Sequence, residues 1–189
     1  MYNRLSTVFF VLLNFVCYSQ TIIQTSIFKV NYSESLEQPL WLEYDIICNN
    51  GDVERQGMKF KRFSGVHTSD ELDYKNNVWD KGHLAPAATF DCTKDMLDET
   101  FSFLNCALQH SNLNRGVWAQ LEKFERELAL SYDVSVRVDL IFDEFSLKLT
   151  TGATVASFFV KTISYDDKNL IIRFPNKDVS GMKWRDFIQ

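Results

Sequence analysis

Residues 133–140, DVSVRVDL, alternate strictly between polar and apolar side chains, and this pattern constrains the fold most. An alternation with a period of two is typical of a β-strand that buries one face only. Further strands are predicted where segments bounded by turn residues alternate in the same way or are mostly apolar. They lie at residues 26–32, 40–47, 58–63, 153–163 and 170–174. The sequence therefore predicts an antiparallel sheet.

Helical periodicity is found in one long segment, residues 113–128. Its apolar residues recur at the spacing of one helix face, at Val117, Leu121, Phe124 and Leu128. A shorter helix is predicted at residues 94–100, where Thr93 can cap the first turn, and a short strand at 101–105. We therefore predict an α+β fold with an antiparallel β-sheet core and one main helix.

The first nineteen residues resemble a signal peptide. A cation at Arg4 precedes an apolar run at residues 8–16, which is too short to span a bilayer comfortably. Cys17 and Ser19 supply small residues before a cleavage site after Ser19. We predict a signal peptide at 1–19, one mature domain at 20–189, and a secreted or periplasmic protein; an N-terminal anchor helix is the alternative.

The net charge of the chain limits how it can meet a polyanion. The 189 residues carry a formal charge of -5 and a pI near 5.2. Broad wrapping of nucleic acid needs many Lys and Arg side chains to release counterions, so this balance argues against it. A polyanionic substrate would have to be bound locally.

Three cysteines remain after cleavage, namely Cys48, Cys92 and Cys106, so at most one intramolecular disulfide can form. Cys92 and Cys106 bracket the predicted short helix and are the favoured pair, with buried free thiols as the alternative. Because the chain has no C-x-x-C spacing and few histidines, a structural zinc site is not predicted.

The string DKGHLAPAATF at residues 80–90 places an acid, a cation, a glycine and an imidazole together. Histidine is the side chain whose ordinary pKa lies near neutrality, so His83 is a candidate general base for chemistry on a phosphate. The alternative is a half-buried histidine that holds a loop. In the predicted main helix, Glu122 and Arg126 lie four residues apart and hence on one face, where an exposed ion pair is the alternative to a functional role.

Three blocks of the sequence together resemble the DNA/RNA non-specific endonuclease family, the ββα-metal nucleases. They are DKGHLAPAATF at 80–90, TFSFLN at 100–105 and LNRGVWAQLE at 113–122. A weaker similarity runs from the strands of Tyr32 and Trp41 to residues 158–161, so the resemblance covers nearly all of the mature chain. It implies a ββα-metal motif within the α+β fold.

The resemblance also implies a role for individual residues. His83 matches the family's general base, and Asn114 matches the side chain that binds the catalytic metal directly. Glu122 matches an acid that supports water on the metal, and Arg126 matches a phosphate-stabilising cation. Asn105 matches an asparagine that helps to arrange the site.

The implied cofactor is Mg²⁺, with Mn²⁺ as a candidate substitute. Magnesium keeps several waters, so one amide oxygen with a supporting carboxylate can hold it. The implied partners are DNA and RNA, cleaved with little sequence preference because the metal grips phosphate rather than base edges. A cognate inhibitor protein is a further candidate partner.

Lys81 is a further candidate catalytic residue, expected to face the phosphate at the position where better-known members carry arginine. The chain departs from the family's usual pattern there and at Thr89 and Leu108. These departures leave an alternative open, which is a catalytically silent secreted domain that binds nucleic acid or protein on the same scaffold.

Overall fold

The structure, a computed structural model, describes residues 20–48 and 51–189. The predicted signal peptide lies outside the described residues. Within the described residues, eight strands form two sheets. The strands are β1 (Gln20–Gln24), β2 (Lys29–Ser33), β3 (Gln38–Asp45), β4 (Trp79–His83), β5 (Cys106–His110), β6 (Ser135–Ile141), β7 (Phe158–Tyr165) and β8 (Lys168–Pro175).

The larger sheet has the strand order β1-β2-β3-β6-β7-β8, and every neighbouring pair in it is antiparallel. The smaller sheet is the antiparallel pair β4 and β5. The helices are α1 (Lys94–Thr100), α2 (Ser111–Leu113) and α3 (Ala119–Leu128), with a π-helical segment, Asn114–Trp118, between the last two. We call the antiparallel pair β4 and β5 the β4–β5 hairpin, although α1 lies in the connection between its strands. This pair followed by a helical region is the ββα arrangement that the sequence predicted.

The alternating segment at 133–140 forms β6, which lies inside the large sheet between β3 and β7. Val136, Val138 and Leu140 are buried on one face, whereas the intervening residues remain partly accessible. Thr93 caps α1 as expected, because its side chain accepts a hydrogen bond from the Met96 backbone N–H. The α+β fold class is confirmed.

Two strand predictions were wrong. Residues 58–63 form no regular strand but a single bridge between Lys61 and Ser102. Their apolar side chains, Met58 and Phe60, pack instead on a small cluster containing Leu97 of α1. Residues 101–105 end in a 3-10 turn, and the strand that follows begins at Cys106. In both segments tertiary packing overrides a weak local pattern.

The predicted disulfide pairing was also wrong. Cys48 and Cys92 form a disulfide with a Cα–Cα distance of 5.9 Å, and Cys106 is a buried free thiol. Cys106 begins β5 directly opposite His83, where its sulfur donates a hydrogen bond to the Tyr74 hydroxyl at 3.2 Å. Strand pairing therefore places Cys106 in the core, and Cys92 bridges back to the end of the segment that follows β3.

The helical region packs on the large sheet through Trp118, whose ring contacts Phe159 of β7 and Phe174 of β8. Leu121 of α3 is fully buried beside it. This packing fixes the helix relative to the sheet, and the β4–β5 hairpin lies at its start. None of the helices within 20–48 and 51–189 is both long and apolar enough to cross a membrane.

Candidate active site

Strand β4 carries the DKGH part of the motif and is held in register by β5. Asp80 is paired with Gln109, and His83 with Cys106. A Cβ atom at Gly82 would lie 2.4 Å from Oε1 and 2.7 Å from Cβ of Gln109. The strand pair therefore leaves room only for glycine at position 82, which explains the glycine between the cation and the imidazole.

Asn114 lies where the helical region is distorted. It begins the π-helical segment, in which Gly116 has non-helical angles of φ -102° and ψ -109°. Such local widening of a helix is frequent at functional sites. The amide Nδ2 of Asn114 donates a hydrogen bond to Oδ2 of Asp80 at 2.9 Å. Because the amide nitrogen faces the carboxylate, Oδ1 points to the other side, where it can accept a cation.

Asp80 connects β4 to the helical region through two residues. Besides the bond from Asn114, its carboxylate receives hydrogen bonds from Arg115 Nε at 2.7 Å and Nη2 at 2.6 Å. Asp80 thus accepts a forked guanidinium and an amide, which fixes the start of the helix against the strand. The sequence showed Asp80 as an acid within the motif but did not predict this connecting role.

The donor set fits a hard divalent cation with a single protein ligand. An amide oxygen such as Asn114 Oδ1 suits Mg²⁺, which keeps several waters of its own. Within the described residues no group of three or more His, Cys, Asp or Glu side chains is arranged to hold a metal ion. The Asn114 amide thus fits the direct-ligand position that the resemblance implies, and Glu122 is the supporting acid that the resemblance implies.

His83, at the end of β4, is covered by aromatic rings. Its ring centroid lies 4.9 Å from that of Phe60 and 5.0 Å from that of Phe101. Its Nε2 atom is buried and has no hydrogen-bond partner among the described residues. Burial, with a smaller contribution from the positive charge of Arg55, lowers the pKa of His83 to about 4. The imidazole is therefore neutral at pH 7, and its Nε2 atom is shielded from solvent although the residue as a whole stays partly accessible.

Lys81 is engaged by an acid from the loop before β4. Its Nζ donates hydrogen bonds to both carboxylate oxygens of Glu71 at 2.7 Å. The same ammonium lies 5.4 Å from the centroid of the Phe60 ring. A phosphate that used Lys81 would have to replace or share the Glu71 carboxylate.

Asn105 is fully buried and bonded entirely to backbone. Its Oδ1 accepts from the Ala85 N–H at 2.7 Å, and its Nδ2 donates to the carbonyls of Ala85 and Thr100, each at 2.9 Å. Its own carbonyl accepts from the Leu84 N–H at 3.0 Å. Asn105 therefore positions the chain directly after His83, and both of its amide hydrogens are used for that purpose.

Glu122 and Arg126 lie one turn apart on α3. Burial raises the pKa of Glu122 to about 7; the nearby carboxylate of Glu125 adds to the effect, and Lys161 and Arg126 oppose it. An acid whose pKa is near neutrality can both hold and release a proton at working pH. The electrostatic effect of Arg126 on Glu122 agrees with their spacing of four residues in the sequence.

A buried ion pair beneath this cluster was not predicted. Lys161 of β7 lies with its Nζ 2.7 Å from Oε1 of Glu125, and both side chains are completely buried. Tyr44 donates a hydrogen bond to the other carboxylate oxygen at 2.7 Å, and the Lys161 ammonium lies 4.4 Å above the Trp118 ring. Glu125 was not singled out because a glutamate in a helical pattern is usually solvent-exposed.

The predicted site residues thus fall into two groups. Lys81, His83 and Asn105 lie on or beside the β4–β5 hairpin, and Asn114 joins them through Asp80. Glu122 and Arg126 lie further along the helical region, among the buried charges of α3 and β7.

The sequence matches the family model described as DNA/RNA non-specific endonuclease over residues 15–188. This match covers most of the chain, so the chain belongs to that family. The resemblance carried by the three sequence blocks is thereby confirmed.

Individual relatives match over shorter stretches. The chain is 36% identical to mitochondrial Endonuclease G of Homo sapiens over 85 residues, which are 43% of this chain and 29% of that protein. It is 34% identical to Nuclease C1 of Cunninghamella echinulata var. echinulata over 106 residues, 53% of this chain and 42% of that protein. The matched part is therefore less than a third of human Endonuclease G and less than half of Nuclease C1.

A solved structure with the same fold is the crystal structure of the EndoG/EndoGI complex, which concerns the mechanism of EndoG inhibition. The TM-score is 0.79 at 24% sequence identity, with 89% of this chain and 79% of that chain covered. At this level of identity the likeness establishes the ββα-metal nuclease fold.

Proposed function

We propose that the protein is an exported, Mg²⁺-dependent endonuclease that hydrolyses phosphodiester bonds of DNA and RNA with little sequence preference. Membership of the DNA/RNA non-specific endonuclease family supports a hydrolase acting on nucleic acid. The observation that carries the proposal is the 2.9 Å hydrogen bond between Asn114 and Asp80. It ties the proposed metal ligand to the strand that carries His83.

In the proposed reaction, the oxygen of one water attacks the phosphorus while the His83 imidazole takes its proton. The bond from phosphorus to one ester oxygen breaks, and that oxygen takes a proton from solvent water, which leaves a phosphomonoester end and a hydroxyl end. His83 then returns its proton to solvent. His83 is suited to the first step because it is neutral at pH 7. Its low pKa makes it a weak base while it is covered, so exposure of the ring should increase its basicity.

The remaining residues bind and orient. Arg126 and Lys81 offer positive charge to the phosphate, whose negative charge increases toward the transition state. The Glu122 carboxyl can hold a water by hydrogen bonding, and Asn105 fixes the backbone after His83. When bound at Asn114, Mg²⁺ would supply Lewis-acid stabilisation of charge on the phosphate oxygens.

The proposed site would contact phosphate and not base edges, so we expect cleavage of both DNA and RNA. Phosphate contacts position a protein on nucleic acid but carry no direct sequence information.

Two features support export of the mature chain. The sequence of residues 1–19 has the pattern of a signal peptide. The disulfide between Cys48 and Cys92 is of a kind that persists in oxidising compartments. A similar fold is described in a complex concerned with inhibition, which supports a protein inhibitor as a further partner of this chain. Recovery of the tagged protein from culture medium or periplasm would test export. A protein that co-purifies with it and stops cleavage would support the inhibitor.

A second candidate function is a catalytically silent binding domain. It is favoured by the contacts that engage the two motif residues: Phe60 covers His83, and Glu71 holds Lys81. If these contacts persist when nucleic acid binds, the site would bind without cleaving.

Digestion of supercoiled plasmid and of RNA separates the two functions. We expect nicking with Mg²⁺, none after chelation, and recovery when Mg²⁺ is restored. Asn114→Ala, purified in the same way, should be nearly inactive and thereby exclude a contaminating nuclease. Nicking at full rate in chelator would contradict the metal assignment, and intact plasmid and RNA in Mg²⁺ would favour the silent domain.

A further inference from the structure

A basic segment precedes the site, and we call residues 53–63 the arm. It carries four cations and a single acid, Glu54, in a chain whose net charge is -5. The cations are Arg55, Lys59, Lys61 and Arg62. Lys61 pairs with Asp98 and Arg62 with Asp70. Arg55 and Lys59 are exposed and make no ion pair with any described residue.

The arm is attached at its two ends. Near its start, the Val53 N–H donates to the Asp91 carbonyl at 3.1 Å. Near its end, the Lys61 N–H donates to the Phe101 carbonyl at 2.8 Å, and the Lys61 carbonyl accepts from the Phe103 N–H at 3.0 Å. Between these points, one backbone hydrogen bond is found within the described residues, in which the Met58 N–H donates to the Arg55 carbonyl. Residues 54–60 are therefore held chiefly by side-chain packing, which places them among segments that open at low cost.

The packing that holds the arm also covers part of the His83 ring. Phe60 contacts Phe101 and Phe103, with ring centroids 5.3 Å and 5.5 Å away, and lies over His83. The buried Nε2 of His83 lacks a hydrogen-bond partner among the described residues, so the closed arrangement leaves a polar atom desolvated. Moving Phe60 away would return that atom to solvent or to a substrate.

A groove of about 680 Å³ lies between the arm and α1. Three cations line it, namely Lys59, Lys61 and Lys94. Asp98, which also lines it, is bound to Lys61, and Glu54 is the other acid in the lining. The groove therefore presents a net positive surface along the arm in an otherwise acidic protein, which suits a phosphate backbone.

We propose that the arm binds the backbone of a nucleic acid through Arg55 and Lys59, and that this binding moves Phe60 off His83. The inference rests on the proposed function and names a gate for its site. A ligand shifts the equilibrium between the arm packed on His83 and the released arm only by the difference in its affinity for these two states. Nucleic acid should have the higher affinity for the released arm. The exposed cations of a released arm can follow the phosphate backbone, and Phe60 can then stack on an unpaired base.

Binding in chelator tests the arm without depending on catalysis. Affinity for a fluorescein-labelled oligonucleotide is measured by anisotropy over a range of salt concentrations for wild type and Arg55→Ala/Lys59→Ala. We expect weaker binding by the variant and a log–log salt slope shallower by roughly one for each lost phosphate contact. The control Lys168→Ala/Arg173→Ala removes the same two charge types from β8 and should retain the wild-type slope. Equal affinities and slopes for wild type and the arm variant would overturn the proposal.

The movement of Phe60 is read from the NMR signal of the His83 ring, assigned with His83→Ala. The two neighbouring rings should displace this signal by ring currents in the free protein. We expect the oligonucleotide to shift it in wild type but much less in Phe60→Leu, which keeps apolar packing without the ring. A wild-type signal that stays in place while the oligonucleotide is bound would overturn the gate. Absence of cleavage by the wild type in Mg²⁺ would contradict the proposed function and would leave both binding readouts intact.

Discussion

The side-chain amide of Asn114 is held by the carboxylate of Asp80, and this bond joins the distorted start of the helical region to β4. We expect Asp80→Ala to release the amide and to weaken Mg²⁺ binding by roughly 10- to 100-fold, the usual effect of losing a group that orients a metal ligand. The Mg²⁺ concentration that gives half-maximal nicking, together with calorimetric titration, measures the effect.

Asp166→Ala is the matched control for that variant. Asp166 lies in the turn between β7 and β8, where it pairs with Lys168. Its removal should leave Mg²⁺ affinity unchanged. An Asp80→Ala protein that binds Mg²⁺ as tightly as wild type would show that the Asn114 amide needs no partner.

The buried Lys161–Glu125 pair makes a prediction about stability. Lys161→Met should lower the free energy of unfolding by about 3–5 kcal/mol, because it leaves a buried carboxylate without its cation. Lys161→Met/Glu125→Gln should be more stable than the single variant, since both charges are then gone. Urea unfolding of wild type, the two single variants Lys161→Met and Glu125→Gln, and the double variant measures the coupling energy. Additive effects would mean that the two side chains do not interact.

The raised pKa of Glu122 predicts how stability depends on pH. Folding favours the protonated carboxyl, so its contribution is complete below the ordinary pKa of 4.5 and is lost as the pH rises through about 7. Relative to Glu122→Gln, the free energy of unfolding of the wild type should fall by up to about 3 kcal/mol between pH 4 and pH 8. The fall should be smaller if the partly exposed carboxyl is solvated. Urea unfolding in chelator at both pH values measures this, and a constant difference would refute the shift.

Much of the fold could be predicted because periodicity reports which face of an element is buried. Residues 133–140 alternate because β6 lies inside the large sheet with one face in the core. The failure at residues 58–63 has the opposite cause, since the apolar side chains there pack on α1 and on the motif rather than on a sheet. The Cys48–Cys92 bridge joins residues 44 apart in sequence, a proximity that only the tertiary fold creates.

The candidate site was predictable only for residues that stand in one of the three short blocks resembling the family. His83, Asn105 and Asn114 stand in segments whose sequence resembles the family. Phe60 over His83 and Glu71 on Lys81 involve loops that carry no regular pattern. Lys161 and Glu125 come from a strand and a helix that meet only in the folded core.

Lys81 should act through its charge once Glu71 releases it. Lysine keeps a positive charge near the phosphate but lacks the planar fork of arginine. We therefore expect Lys81→Arg to preserve or raise turnover, Lys81→Ala to lower it, and Glu71→Gln to raise it in the wild-type background. Steady-state cleavage rates on one DNA substrate compare the four proteins. Equal rates for wild type and both Lys81 variants would show that Lys81 does not contact the phosphate.

The general-base role of His83 is the central claim, and the initial rate of plasmid nicking by His83→Ala in Mg²⁺ tests it most directly. Loss of the general base should reduce the rate by about 100- to 10,000-fold relative to wild type. The thermal midpoint should hardly change, because the lost ring contacts with Phe60 and Phe101 are offset by removal of a buried nitrogen that has no hydrogen-bond partner among the described residues. A folded His83→Ala protein that nicks plasmid at the wild-type rate would contradict the account.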